Sequence, residues 1–312
     1  MSYDHPIRFL PHYQTRVWGG RRLESVFHRE LPTQEPFGES WEVSDRSEAM
    51  STTPDGVSLN DLWQNHRQTV FGDVKSASGH FPLLMKILDA CDDLSIQVHP
   101  PADVAPGLGG EPKTEMWFIA HADPGAKIYA GLRAGVTRAQ FEEAIQNGTV
   151  ADLVHVLQPR SGDCLFIPSG RIHAIGAGLL IFEIQQNSDT TYRVFDWNRV
   201  GLDGQPRTLH LQESLRSIDF TSSPPGFQQP DAEGRLITCE FFDVRQSRSH
   251  QPALGTAGEH LALAMVKGRL TAASSHLSTG DFAIVPACLS AAQRQLSDVS
   301  ADAEWLEIRI PG

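Results

Sequence analysis

Two short runs between residues 94 and 117 alternate apolar and polar side chains, and they restrict the fold more than any other stretch of the chain. Leu94, Ile96 and Val98 are apolar, while Ser95, Gln97 and His99 are polar. A period of two belongs to a strand whose faces meet different surroundings. As a strand, 94–99 sets Ser95, Gln97 and His99 in a row on one side. Lys113, Glu115 and Trp117 alternate in the same way, so a second strand presents an ammonium and a carboxylate together. A third contributor, Ser-Gly-Asp-Cys-Leu-Phe-Ile-Pro-Ser-Gly-Arg-Ile-His at 161–173, ends on His173. Two imidazoles, a carboxylate and an amide form an N/O set that suits zinc, with a position open for chemistry.

The same region contains half of an internal repeat. Gly162-Asp-Cys-Leu-Phe-Ile-Pro168 recurs as Gly280-Asp-Phe-Ala-Ile-Val-Pro286, an offset of 118 residues (280 − 162). Both read as a Gly-Asp turn, an apolar strand and a Pro stop. Asp163 and Asp281 read as turn formers rather than acids. Five residues after Pro168 comes His173, whereas five after Pro286 comes Ala291. The second copy thus keeps the strand pattern and lacks the ligand.

Around these landmarks the chain reads mainly as β. Residues 1–20 form an extended arm ending in Arg-Val-Trp-Gly-Gly, 20–30 a short amphipathic helix, and 39–45 a strand. Ser58-Leu-Asn-Asp61 opens a helix to about Phe71, and Thr137-Arg-Ala-Gln140 is a capping box for a helix through Gln146. A further helical piece is predicted at 149–157, giving a small helical insertion at about 132–157. Strands are predicted at 83–89, 94–99, from Lys113 and at 126–131, and 162–196 is strand-rich. The domain expectation is 1–220 for the first barrel with its arm and insertion, 221–231 for a Ser/Pro/Gly/Gln linker, and 232–312 for a second, metal-free barrel.

Composition narrows the partners. A net charge of −12 opposes nonspecific nucleic-acid binding and an anionic membrane surface. An anionic substrate therefore needs a local cluster of positive residues. The longest apolar stretch, around 174–184, closes on Glu183, too short for a bilayer span. Four cysteines without a CxxC pair point to free buried thiols in a reducing, cytoplasmic setting. Nothing in the sequence sets an oligomeric state.

Ser-Gly-Asp-x4-Pro-Ser-Gly-x2-His resembles the second metal motif of cupin barrels. Leu-Ser-Ile-Gln-Val-His-Pro (94–100), Lys-Thr-Glu (113–115) and Gln-Asn-Ser-Asp-Thr-Thr-Tyr-Arg (186–193) resemble type I mannose-6-phosphate isomerases of the short bacterial kind, as do Arg-Val-Trp-Gly-Gly (16–20) and Gly38-Glu-Ser-Trp-Glu-Val-Ser44. The likeness runs from about residue 7 to residue 220. It implies tandem cupin-like (jelly-roll) barrels and a zinc-dependent interconversion of mannose 6-phosphate and fructose 6-phosphate, a small sugar phosphate. It also implies His99, Glu115 and His173 as zinc ligands, with Gln97 a fourth in longer relatives. Arg193 would be the catalytic arginine, and Lys113, Ser95 and Glu183 would line the substrate site. Manganese or cobalt can take the place of zinc in such a set.

Each of these residues has a structural alternative. Arg193 could be held in a salt bridge to Asp189 or Asp196, but Tyr192 and Val194 flank it in a strand-like stretch that would turn it inward if they turn out. Glu183 lies between apolar neighbours and must face something polar: Lys113, Arg193 or a substrate hydroxyl. Either Lys113 or Glu183 could serve as the base. Two other functional classes use similar parts, an oxygenase-type metallo-cupin and a non-catalytic sugar-binding cupin.

Overall fold

The computed structural model describes residues 3–311, and nineteen strands dominate it among the described residues. In chain order these are β1 His12–Gly20, β2 Phe37–Val43, β3 Leu83–Ala90, β4 Ile96–Val98, β5 Glu115–Ala122, β6 Ile128–Leu132, β7 Val154–Leu157, β8 Cys164–Ile167, β9 His173–Ile175, β10 Leu179–Gln186 and β11 Tyr192–Phe195, followed by β12 Arg235–Thr238, β13 Asp243–Arg248, β14 Leu261–Lys267, β15 Arg269–Ala272, β16 Ser275–Ser278, β17 Phe282–Val285, β18 Leu296–Ser297 and β19 Glu304–Arg309. Four sheets result, ordered β1-β2-β3-β10-β5-β8, β11-β4-β9-β6-β7, β12-β13-β19-β14-β17 and β16-β15-β18. The mainly β class with a small helical insertion is the one the sequence predicts. Two compact units form, one from Tyr13–Ser40 and Leu88–Gln228, the other from Met1–His12, Trp41–Ile87 and Gln229–Gly312.

In the unit that includes 88–228, alternation decides which way each side chain faces. Trp117 and Ile119 of β5, Leu165 and Ile167 of β8, and Ile181 of β10 pack with Ile128, Ala130 and Ile175 of β6 and β9. Two sheets thus face each other across an apolar interior. Ile96 and Val98 point the other way, into a layer with Ala174, Tyr192 and Val194 under the helices Arg138–Asn147 and Leu211–Ser217. With the apolar side of β4 committed to that outer layer, Gln97 must face the interior.

The repeat is visible in backbone hydrogen bonds. Gly162 N donates to the Ile119 carbonyl while Ile119 N donates to that of Asp163; Gly280 N donates to Met265 and Met265 N to Asp281, all at 2.8–2.9 Å. Both glycines have positive φ, 92° and 89°. Asp163 Oδ2 accepts from Arg160 N at 2.7 Å, and Asp281 Oδ2 from Ser278 N at 2.8 Å. Both aspartates close turns, as the sequence predicts. In the second unit the buried Arg294 donates to the carbonyls of Leu254, Glu259, Pro286 and Leu289.

Several local expectations change. Ser58 does cap a helix, through Asp61 N at 3.0 Å, but that helix is Leu59–Asn65 and restarts at Arg67. The bend at His66 sets Trp63 and Phe71 on the same ring, Phe81, with centroids 5.5 and 5.4 Å away. Thr137 forms the full capping box, yet the helical piece predicted at 149–157 is a 3-10 turn, Val150–Leu153, followed by β7, because Val154 and Val156 pair with β6. β5 begins at Glu115, so Lys113 lies before the strand rather than in it. All four cysteines are free, but Cys91 and Cys288 are exposed and only Cys164 is buried.

Candidate metal centre and active site

Strand register assembles the site. Arg193 of β11 lies opposite Gln97 of β4, and Gln97 lies opposite His173 of β9. The three therefore form one row across the second sheet, facing the interior. On the facing sheet Glu115 opens β5, with Gln185 opposite it on β10 and Glu183 opposite Trp117. The loops close the gap between the sheets. Lys113 N donates to Ser169 Oγ at 3.0 Å and Ser169 N to Thr114 Oγ1 at 3.2 Å, while Gly170 N donates to the His99 carbonyl at 2.8 Å. These bonds tie the Lys113–Glu115 segment and His99 to the turn that leads into His173.

His99, Glu115 and His173 meet in the interior, each 1% exposed or less. His99 Nε2 lies 3.4 Å from Glu115 Oε2, and His173 Nε2 lies 3.4 Å from Oε1. Their ring centroids are 4.8 Å apart. Among the described residues this is a His/Glu group able to hold a metal ion. The tautomers support that reading. His99 Nδ1 is 2.8 Å from the Thr190 carbonyl and His173 Nδ1 is 2.8 Å from the Arg171 carbonyl. A carbonyl only accepts, so each Nδ1 carries the proton and each Nε2 turns a lone pair toward Glu115. Neither Glu115 oxygen accepts a hydrogen bond. Lone pairs facing a buried carboxylate repel it, and a cation between them reverses the sign. The spacing fits as well: donors about 2.1 Å from a shared tetrahedral ion lie about 3.4 Å from each other. Burial pushes the His173 pKa down, against an opposing pull from Glu115, so the ring stays in its neutral, ligating form.

The remaining predicted residues surround this centre. Lys113 Nζ is 3.8 Å from Glu115 Oε2, so the ammonium and the carboxylate do meet. Gln97 Nε2 is 3.3 Å from His173 Nε2, and its Oε1 accepts from Ser95 Oγ at 3.3 Å. Ligation by Gln97 would need the amide turned end for end. Glu183 Oε2 accepts from Trp117 Nε1 at 2.9 Å, a donor the sequence reading did not name. Trp117 also sets its ring edge-on to His173, with centroids 5.4 Å apart. The signal for Trp117 was present, since it falls on the same face of the alternating run as Glu115.

Arg193 proves the most informative of the set. Tyr192 and Val194 are buried in the outer layer, so the guanidinium between them turns inward. The salt-bridge alternative is not realised, because Asp196 is taken by Arg199 and Arg207. Only the backbone of Arg193 is bonded, its N to His210 Nδ1 at 3.2 Å and its carbonyl to His210 N at 2.8 Å. Burial is the first cause that lowers the Arg193 pKa, followed by the nearby Arg207. A half-buried guanidinium without a hydrogen bond or ion pair among the described residues is a ready partner for an anion. The cation supply around it, Arg16, Arg199 and Arg207, was not legible from sequence distance.

Comparison with known proteins adds a separate line of observation. Residues 7–109 match the model of the family described as phosphomannose isomerase type I, catalytic domain. The chain is 34% identical to mannose-6-phosphate isomerase ManA of Bacillus subtilis over 276 residues, covering 84% of this chain and 86% of that one. It is 34% identical to the mannose-6-phosphate isomerase of Streptococcus mutans, covering 90% and 92%. The crystal structure of the Bacillus subtilis mannose 6-phosphate isomerase superposes with a TM-score of 0.85 at 30% identity, over 98% of this chain and all of that one.

Proposed function

Because the chain belongs to the type I phosphomannose isomerase family, we propose that it interconverts mannose 6-phosphate and fructose 6-phosphate with zinc held by His99, Glu115 and His173 in its cupin-type barrel. The observation that carries this reading is the pairing of two features across one sheet row. A buried His–Glu–His set shares a sheet row, across Gln97, with an arginine whose guanidinium has no hydrogen bond or ion pair among the described residues. Bound there, zinc supplies Lewis-acid polarisation of the sugar oxygens, a contribution of several kcal/mol. Manganese or cobalt would serve the same donors, and Gln97 is placed to complete the shell once its amide is reversed.

The chain's own groups do the rest. Isomerisation moves a hydrogen between C1 and C2 and a proton between their oxygens. Arg193, permanently charged, stabilises the negative charge that develops on those oxygens. Either Lys113 or Glu183 carries the C1/C2 proton, and Ser95 supports the substrate end of the site. Trp117 holds the Glu183 carboxylate by its indole N–H, which fixes where that proton is taken or returned. Burial of His99, Lys113, Glu115, His173 and Glu183 keeps water from the reacting atoms.

Purified protein loaded with zinc should convert mannose 6-phosphate to fructose 6-phosphate, and chelation should abolish turnover until metal is returned. Arg193→Ala should keep its metal and lose about 100-fold or more in kcat. Metal-loaded protein without turnover, or with oxygen consumption instead, would reject this reading in favour of an iron enzyme with the same two-His, one-carboxylate set.

A further inference from the structure

Arg193 can act on substrate only while no carboxylate holds it, and Asp196 lies three residues away with the right charge. We propose that Arg207 is a positioning residue that occupies Asp196 and thereby leaves the Arg193 guanidinium to the substrate, an inference that rests on the isomerase reading above.

The geometry of Asp196 carries the proposal. This carboxylate is 6% exposed, and its oxygens accept four charge-assisted hydrogen bonds. Arg207 grips both of them, Nε to Oδ2 at 2.6 Å and Nη2 to Oδ1. Arg199 adds Nε and Nη2 to Oδ1 at 3.1 and 3.0 Å, with its Nη1 reaching Asp92 Oδ2 at 3.2 Å. A carboxylate has about four acceptor positions, so this one is filled. The fork-to-fork grip of Arg207 is the stronger of the two, because it supplies a donor to each oxygen. Asp196 and Arg207 are both near enough to bias Arg193 electrostatically, in opposite directions, alongside Arg16 and Asp189. Without Arg207, Oδ2 has no donor, and Arg193 is the nearby guanidinium with capacity to spare.

The chain accepts strain to keep this arrangement. Trp197 and Asn198 both have left-handed φ, 56° and 54°, which bends the chain so that Arg199 returns to Asp196. Two such residues in a row are costly, and a tryptophan is a poor occupant of that region. The Trp197 indole pins the turn by donating to the Leu94 carbonyl at 2.7 Å. That anchor lies next to Ser95, at the start of the segment that carries Gln97 and His99.

The test uses the zinc-loaded full chain with mannose 6-phosphate. Arg207→Leu should lower kcat about tenfold or more, with KM changed less, because Asp196 then captures Arg193. Asp196→Asn added to Arg207→Leu removes the competitor and should return kcat to within about threefold of wild type. The Arg193 side-chain Nε–H signal in NMR reports the same event without turnover. Its hydrogen exchange should slow in Arg207→Leu and recover in the double variant. Should Arg207→Leu fail to fold, Arg207→Gln, whose uncharged amide cannot reproduce the charged two-oxygen grip on Asp196, carries the same expectation. Unchanged kcat in the single variant, or a loss that the double variant does not recover, would overturn the proposal. A rise in KM that the second substitution leaves in place would show instead that Arg207 touches the substrate itself. A wild type without turnover would reject the isomerase reading, while the NMR arm would still judge Arg207.

Discussion

The ring nitrogen that faces away from Glu115 fixes what His99 and His173 can do. Each Nδ1–H is spent on a backbone carbonyl, so each neutral ring offers Glu115 a lone pair and not a donor. Glu115→Gln should therefore have two opposite effects. Metal affinity should fall by about 100-fold or more. In chelator, however, the variant should gain about 1 kcal/mol in urea unfolding, since the amide can donate to an imidazole lone pair, whereas the carboxylate has only the Lys113 ammonium, 3.8 Å away, to offset its burial. A metal-free Glu115→Gln that is less stable than wild type would mean the carboxylate is satisfied by the protein alone. Another buried imidazole, in the other unit, ties stability to pH. His260 is held down to about 4 by burial, with Arg309 and Arg294 adding to the depression and a backbone bond to Phe71 opposing it. Unfolded, it titrates near 6.5, so below that pH the unfolded chain takes up a proton that the folded chain refuses. Stability is thus lost as pH falls from about 6.5 and levels off below about 4, amounting to about 2 kcal/mol by pH 5. His260→Gln should flatten this part of the pH–stability curve measured by urea titration; an equal slope in both proteins would exclude it. At this scale the residues of the His–Glu–His group were legible, because histidines and an acid on alternating strands are local features. It could not show that Asp196 prefers Arg199 and Arg207 to Arg193, since that choice depends on a left-handed turn at Trp197 and Asn198.

Elements deliver these side chains, and the Gly-Asp-x4-Pro unit shows what part of the delivery is local. Its turn chemistry was legible because glycine at positive φ and an aspartate closing the turn act within a few residues. The row of Arg193, Gln97 and His173 was not, because it depends on the pairing of β11, β4 and β9. The break at His66 and the strand at 154–157 were missed for the same reason: Phe81 and β6 overrule local helix propensity there. Two glycines separate structural from functional turns. Gly162 has φ 92° and open space around a would-be Cβ. Gly170 has φ 88°, and a Cβ would meet Pro101 Cγ at 3.2 Å and the Ser217 carbonyl oxygen at 3.3 Å. Either alanine should cost about 1–2 kcal/mol for the positive φ alone. Only Gly170→Ala should also weaken metal binding, by about tenfold in a chelator competition, since its N–H holds His99 and its turn leads into His173. Equal metal affinities in the two variants would show that the 168–171 turn does not set the ligand geometry.

The whole molecule concentrates its chemistry in part of the chain. His99, Glu115, His173, Lys113, Glu183 and Arg193 all fall in the unit formed by Tyr13–Ser40 and Leu88–Gln228. The unit that includes 229–312 repeats the turn and strand logic, and its Arg294 donates to four backbone carbonyls. The repeated Gly-Asp turn was readable from the 118-residue offset, but the grouping of 41–87 with the C-terminal residues depends on contacts between segments remote in sequence. A net charge of −12 sets a further constraint at this scale, because a sugar phosphate is repelled at long range and must be drawn in by local arginines. If the ion acts through its three buried ligands, its stabilisation has an address. Metal at 100 times its Kd contributes about 2.7 kcal/mol to whatever unfolds with the site. Chelation should therefore speed hydrogen exchange in peptides covering 94–99, 113–122 and 173–186, read by mass spectrometry, while peptides from 235–309 keep their rates. Returning zinc should restore protection in the first set only. Equal acceleration in both sets would mean that the ion stabilises the molecule as one cooperative whole, and the site's energetics would then belong to all 312 residues rather than to the barrel that holds its ligands.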